Sequence, residues 1–193
     1  MKKILITAAF AVLATAASAQ VSNFEGFSGG LNLNTVAASH QFGTSKFKGE
    51  SWIGAIQGAY GFVISPSTVV SIGGSYGLSD SNAGVASLTN LSLQNQLSVY
   101  VEPGYLVGDK TLVYGKLTYE KANLEATEVG VDDAKVSLNG TGIGFGVRTM
   151  IAQATYLQVE LKKIGYGKGR FAGDPIDFKT KSTVGTIGIG MKF

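Results

Sequence analysis

From Phe27 onward apolar side chains recur at every second position, the period of strands that turn one face to an apolar medium and the other to a polar one. Eight such segments follow one another. The first sets Phe27, Gly29, Leu31, Leu33 and Thr35 against Ser28, Gly30, Asn32 and Asn34. The second sets Trp52, Gly54, Ile56, Gly58, Tyr60 and Phe62 against Ala55 and Gln57, and the third Val70, Ile72, Gly74, Tyr76 and Leu78 against Ser71, Gly73, Ser75 and Gly77. In the fourth, Leu91, Leu93, Leu97, Val99 and Val101 alternate with Ser92, Gln94, Gln96, Ser98, Tyr100 and Glu102, and Asn95 is the one lapse on the apolar face. The fifth opposes Val113, Gly115, Leu117 and Tyr119 to Tyr114, Lys116, Thr118 and Glu120; the sixth, Thr141, Ile143, Phe145 and Val147 to Gly142, Gly144, Gly146 and Arg148. The seventh opposes Leu157, Val159 and Leu161 to Gln158, Glu160 and Lys162, and the eighth Ile187, Ile189, Met191 and Phe193 to Thr186, Gly188, Gly190 and Lys192.

A soluble sandwich alternates in the same way, so the connections decide what the apolar face meets. Ser65-Pro66-Ser67, Gly108-Asp109-Lys110 and Ala152-Gln153-Ala154 are short and turn-like, whereas Ser39 to Glu50, Ser79 to Asn90, Lys121 to Ser137 and Gly165 to Lys181 are long and polar. Short and long links in strict alternation, with an even strand count, predict an all-β fold: a single eight-stranded antiparallel up-and-down transmembrane β-barrel with short periplasmic turns and long external loops.

The start of the chain fits export. Lys2 and Lys3 precede an apolar stretch from Ile4 to about Ala16, and Ala17-Ser18-Ala19 is a small-residue cleavage site, so residues 1–19 are expected to be a cleavable signal peptide and 20–193 the barrel. That apolar stretch is too short to span a bilayer as a helix. Glycine and aromatics are plentiful and proline is scarce, which favours sheet. Of the 16 basic residues Lys2 and Lys3 go with the signal, leaving 14 against 13 acidic ones, and a nucleic-acid partner has no electrostatic basis. Without cysteine there is neither a disulfide nor a thiolate metal site.

From Lys181 to the terminal Phe193, with Ile187, Ile189 and Met191 on the same face, the last strand carries a pattern that resembles small eight-stranded outer-membrane barrels of the OmpA-like, OmpX-like and opacity-protein type. The resemblance spans essentially all of the chain after the signal. It implies residence in the outer membrane among its lipid and lipopolysaccharide, and reading of Ile187, Ile189, Met191 and Phe193 by the barrel assembly machinery. It also implies a structural or surface role, with external loops free to hold a surface ligand. It does not extend to the peptidoglycan-binding domain that full-length OmpA carries, so no wall-anchoring role is implied.

The inward face carries Glu102, Lys116, Glu120, Arg148, Glu160, Lys162 and Lys192. Counting from the short turns pairs Glu102 with Lys116 and Arg148 with Glu160. In a narrow barrel the interior is filled by its own side chains, and buried charges persist when paired, so a plug is expected; a narrow passive channel is the alternative. A lipid A-modifying enzyme would need His40, the one histidine, but its neighbour Ser39 points to the other face of a strand. No cofactor is called for: Asp132-Asp133 with Glu125 and Glu128 lack a calcium-loop spacing, and Gly142, Gly144 and Gly146 alternate along a strand where a nucleotide loop would join strand to helix. Lys46, Lys48, Lys168, Arg170, Lys179 and Lys181 in the loops are candidates for the phosphates of lipopolysaccharide. Tyr60, Phe62, Phe27, Tyr156 and Phe193 are expected in an inner aromatic girdle, and Trp52, Tyr76 and Tyr119 in an outer one. A soluble lipocalin-like barrel is the remaining rival.

Overall fold

The computed structural model describes residues 21–42, 45–86, 89–128, 134–169 and 178–193. The expected signal peptide and Asp132-Asp133 lie outside the described residues. After a single 3-10 turn, Val21–Phe24, come β1 (Gly26–Phe42), β2 (Ser45–Ser65), β3 (Thr68–Gly77), β4 (Ser81–Ala86), β5 (Thr89–Val107), β6 (Thr111–Glu128), β7 (Ala134–Met150), β8 (Thr155–Gly169) and β9 (Phe178–Lys192). Every pairing is antiparallel; β9 closes on β1, and β3 closes on β5. The short β4 continues the wall of β3 after a break at Leu78-Ser79-Asp80 and also pairs with β5, so the ring has eight walls.

Closure can be followed through one row of cross-strand partners. From Thr111 the row runs through Thr149, Leu157, Ile189, Leu31, Ile56, Tyr76 and Leu97, and it returns to β6 at Lys121, ten positions beyond its start. That stagger is what a closed sheet of tilted strands requires. It also removes the free edges on which sheets aggregate.

The predicted facing holds on most walls. Leu31, Leu33, Ile72, Leu117, Ile143, Val159 and Ile187 are exposed on the outside, while Ser71, Glu102, Lys116, Arg148 and Glu160 are buried within. Among the described residues no helix is long and apolar enough to cross a membrane, so the apolar band lies on strands. Phe27 and Tyr60 meet edge to face with ring centroids 4.7 Å apart beside Phe62, and Phe193 is exposed near them, forming the inner aromatic girdle. Tyr156 does not belong to it: the residue is buried inside the barrel.

Two expectations change. The segments read as long loops are largely strand, because β1, β2, β6, β7, β8 and β9 run well past the apolar band. There the outer face becomes polar (Lys121, Asn139, Lys163, Thr183), and the apolar side chains move to the interior. Val36, Ala38, Ile53, Leu124, Leu138, Ile164 and Val184 form an inner core at this level. The second change concerns β5, where Leu91 and Leu93 are buried in that core while Leu97, Val99 and Val101 face outward. Asn95, at φ +50°, sits in a bulge between Gln94 and Leu97 that switches the phase. The apparent lapse in the sequence pattern is therefore the place where the strand changes faces.

Trp52, the single tryptophan, is 66 % exposed on the outer face, where the apolar band ends. Its fluorescence in reconstituted bilayers is expected to be quenched strongly by lipids brominated near the headgroup end of the acyl chain. Quenching by aqueous acrylamide with no effect of brominated lipid would place this face in water.

Candidate functional site

The inward positions of β5 to β8 bring the chemically active side chains together. Lys116 pairs with Glu102 at 2.9 Å and with Glu160. Arg148 Nη2 donates to Glu102 Oε2 at 3.1 Å, and its Nε donates to Gln158 Oε1 at 3.2 Å. Tyr114 Oη donates to Glu160 at 3.2 Å. Two carboxylates thus face two cations, and all four are buried. Glu120 lies in a second cluster, accepting from Lys162 Nζ at 2.7 Å and from Ser98 Oγ at 3.0 Å. Charge balances within each cluster, the condition under which ions survive away from water.

The expected pairing of Glu102 with Lys116 is present, but Arg148 does not pair with Glu160. The β7–β8 hairpin turns about Gln153, so Arg148 lies opposite Gln158 and Glu160 opposite Gly146. Glu160 therefore reaches Lys116, and Arg148 crosses the interior to Glu102. Lys192 is outside both clusters, at the inner end of β9, beside a cavity of about 10 Å³ that it lines with Arg148, Tyr156 and Phe24.

Residue counting did not single out the neutral partners. Gln158 and Gln57 donate to each other at 3.1 and 3.0 Å, Gln158 also donates to Asn32 Oδ1 at 3.0 Å, and Gln57 donates to Tyr156 Oη at 3.2 Å. This amide relay carries the network from β8 to β1 and β2. Aromatic rings complete the cations' surroundings: Lys116 Nζ lies 4.2 Å from the centre of the Tyr100 ring, and Arg148 lies 5.1 and 5.0 Å from those of Tyr114 and Tyr156.

The glycines make this possible. Tyr100, Tyr114 and Tyr156 each lie directly across from a glycine on the neighbouring strand, Gly73, Gly146 and Gly190. A Cβ at Gly146 would come within 2.6 Å of the Tyr114 ring, and one at Gly73 within 2.7 Å of Tyr100. The sequence signal was present as inward glycines facing inward tyrosines, and registering the strands turns it into a packing rule.

Apolar layers lie on both sides of the network. On the inner side Phe24, Val69, Leu106, Leu112 and Met150 pack with Tyr114 and Tyr156; on the outer side lies the core around Leu93 and Leu124. Between Glu120–Lys162 and that outer core is a cavity of about 40 Å³, room for a few waters. Such an arrangement can hold strands in register and oppose the passage of ions.

His40 lies in β1 opposite Phe47 and Thr180, and its side chain is outside the described residues, as are those of Lys46, Lys168, Arg170 and Lys179. Lys48 and Lys181 are exposed on the outer strands. Ile187, Ile189, Met191 and Phe193 all face outward, and the Phe193 amide donates to the Phe27 carbonyl at 2.9 Å, tying the last strand to the first.

The model of the outer membrane protein beta-barrel domain family matches residues 5–193. Neisserial surface protein A is similar in structure, with a TM-score of 0.62 at 14% identity, covering 88% of this chain and 98% of that one. The attachment invasion locus protein Ail of Yersinia pestis gives a TM-score of 0.55 at 13% identity, covering 88% and 99%. The same protein in complex with the heparin analogue sucrose octasulfate gives 0.56 at 11% identity, covering 87% and 99%. No curated protein matches the sequence.

Proposed function

The chain belongs to the family of outer membrane β-barrel proteins, and from this we propose that its interior network seals the barrel while its external strands present the surface through which it acts. It is an outer-membrane protein with a surface or structural role. The observation that carries the seal is the neutral cluster of Glu102, Lys116, Arg148 and Glu160 held between two apolar layers. An ion entering from either side meets low-dielectric packing before it meets charge, and at the centre each charge already has its partner. A non-catalytic role goes with this, because the carboxylates of the network are engaged by cations and hydroxyls.

Removal of residues 1–19 on export, with 20–193 as the barrel, belongs to the same reading. So does recognition of Ile187, Ile189, Met191 and Phe193 by the barrel assembly machinery, and contact with outer-membrane lipid and lipopolysaccharide. The purified protein in a planar bilayer is expected to give no discrete current steps. Reproducible open-channel steps would replace the seal with a narrow passive channel.

A further inference from the structure

On the lipid-facing wall, running from Leu117 of β6 across β7 and β8 to the outer end of β9, lies a shallow groove that the interior network does not use. It opens a volume of about 510 Å³ and is lined by Leu117, Thr141, Ile143, Lys163, Gly165 and Lys181, among others. The groove exists because Gly165 presents no side chain: a Cβ there would meet nothing within 4 Å. Gly165 lies opposite Lys181 and Lys163 opposite Thr183, so the two lysines are diagonal neighbours across β8 and β9, about 7–8 Å apart along the backbone and somewhat closer at Cβ. Both are exposed, and among the described residues neither has an ion pair.

Among the described residues no acidic side chain compensates them. Glu125 is paired with Lys135 at 2.7 Å, and Glu50 lies three strands away in the row that runs through Thr183 and Ala37. The pair stands where β8 changes its outward residue from Leu161 to Lys163, at the boundary between apolar and polar surface. Two adjacent cations at such a boundary favour an anion, and the walls below them favour a hydrocarbon chain. A membrane lipid with a phosphate headgroup supplies both.

Building on the outer-membrane reading, we propose that this groove seats a phosphorylated lipid of the outer leaflet, its phosphate over Gly165 between Lys163 and Lys181 and an acyl chain laid below them against Ile143 and Leu117. The probe is bisphosphorylated lipid A added to the purified barrel in detergent, with binding read by native mass spectrometry and compared with dephosphorylated lipid A and inorganic phosphate. The double variant Lys163→Ala/Lys181→Ala is expected to lose about tenfold or more in affinity, in line with the loss of two charge-assisted contacts. Gly165→Leu, which fills the groove and keeps both lysines, is expected to weaken binding as well. Gly58→Leu is the control: Gly58 is exposed on the opposite wall, and a Cβ there meets only the Ser28 carbonyl at 3.8 Å. Each variant is accepted only if it keeps its heat-dependent gel shift. Wild-type affinity in both the double variant and Gly165→Leu would overturn the lipid seat. Inorganic phosphate binding as tightly as lipid A would overturn it too, reducing the site to a bare anion contact. Loss of the outer-membrane reading itself would show separately, in membrane fractionation of the wild-type protein.

Discussion

Replacing Glu102 with glutamine is expected to lower the stability of the folded barrel by about 3–5 kcal/mol, the range for removing one member of a buried ion network. Glu102 is fully buried and is the only carboxylate, among the described residues, shared by Lys116 and Arg148. Without its charge, Glu160 alone faces two buried cations, and Arg148 keeps only the neutral Gln158 as its hydrogen-bond partner. The measurement is the urea midpoint of bilayer-reconstituted protein, followed by the gel shift between folded and unfolded forms. Adding Arg148→Met to Glu102→Gln restores charge balance through the intact Lys116–Glu160 pair, and most of the loss is expected to return. A Glu102→Gln barrel within about 0.5 kcal/mol of the parent, the range of an ordinary surface substitution, would mean that the network does not hold the walls together.

The membrane-spanning half of the fold was legible because period two is rigid: once a strand shows Leu117 and Tyr119 to lipid, Lys116, Thr118 and Glu120 have no choice but to point inward. The outer half was not legible for a related reason. On β6 the same even-numbered face continues inward past the membrane, but there it carries Ala122 and Leu124, while Lys121 faces out. A pattern sought as apolar outside and polar inside breaks at that level, and the segment from Lys121 to Ser137 reads as a loop although strand continues to Glu128 and resumes at Ala134. The site was legible by membership and not by partner. Glu102, Lys116, Glu120, Arg148, Glu160 and Lys162 all lie in the interior, but which cation meets which carboxylate depends on the centre of a turn. A shift of one residue in that centre exchanges Glu160 for Gln158 opposite Arg148. Amides and tyrosines extend the first cluster to β1 and β2, and their role appears only when the strands are placed side by side.

The sharpest difference between pattern and structure lies on β5, and it gives the second large effect. Leu93→Ala is expected to cost about 2–5 kcal/mol, the range for truncating a leucine in a packed core, because a cavity is left in addition to the lost transfer energy. Leu93 is wholly buried, whereas Leu97 is 45% exposed on the lipid side, so Leu97→Ala should cost less: lipid closes over the missing methyls, and only the transfer contribution remains. An uninterrupted alternation would make the two leucines equivalent. The switch depends on Asn95, whose side-chain oxygen accepts from Tyr76 Oη at 3.2 Å, and on Gln96, which donates to Ser81 Oγ at 3.0 Å across the break between β3 and β4. Because the bulge puts one extra residue on β5 between Gln94 and Leu97, deleting Asn95 would leave a regular strand with Leu93 still inside and Leu97 still outside. That deletion is therefore expected to fold, while Asn95→Val, which forces a β-branched residue into a left-handed backbone, is expected to cost about 1–3 kcal/mol. Equal losses for Leu93→Ala and Leu97→Ala, together with failure of the Asn95 deletion to fold, would return β5 to a single face and remove Leu91 and Leu93 from the outer core.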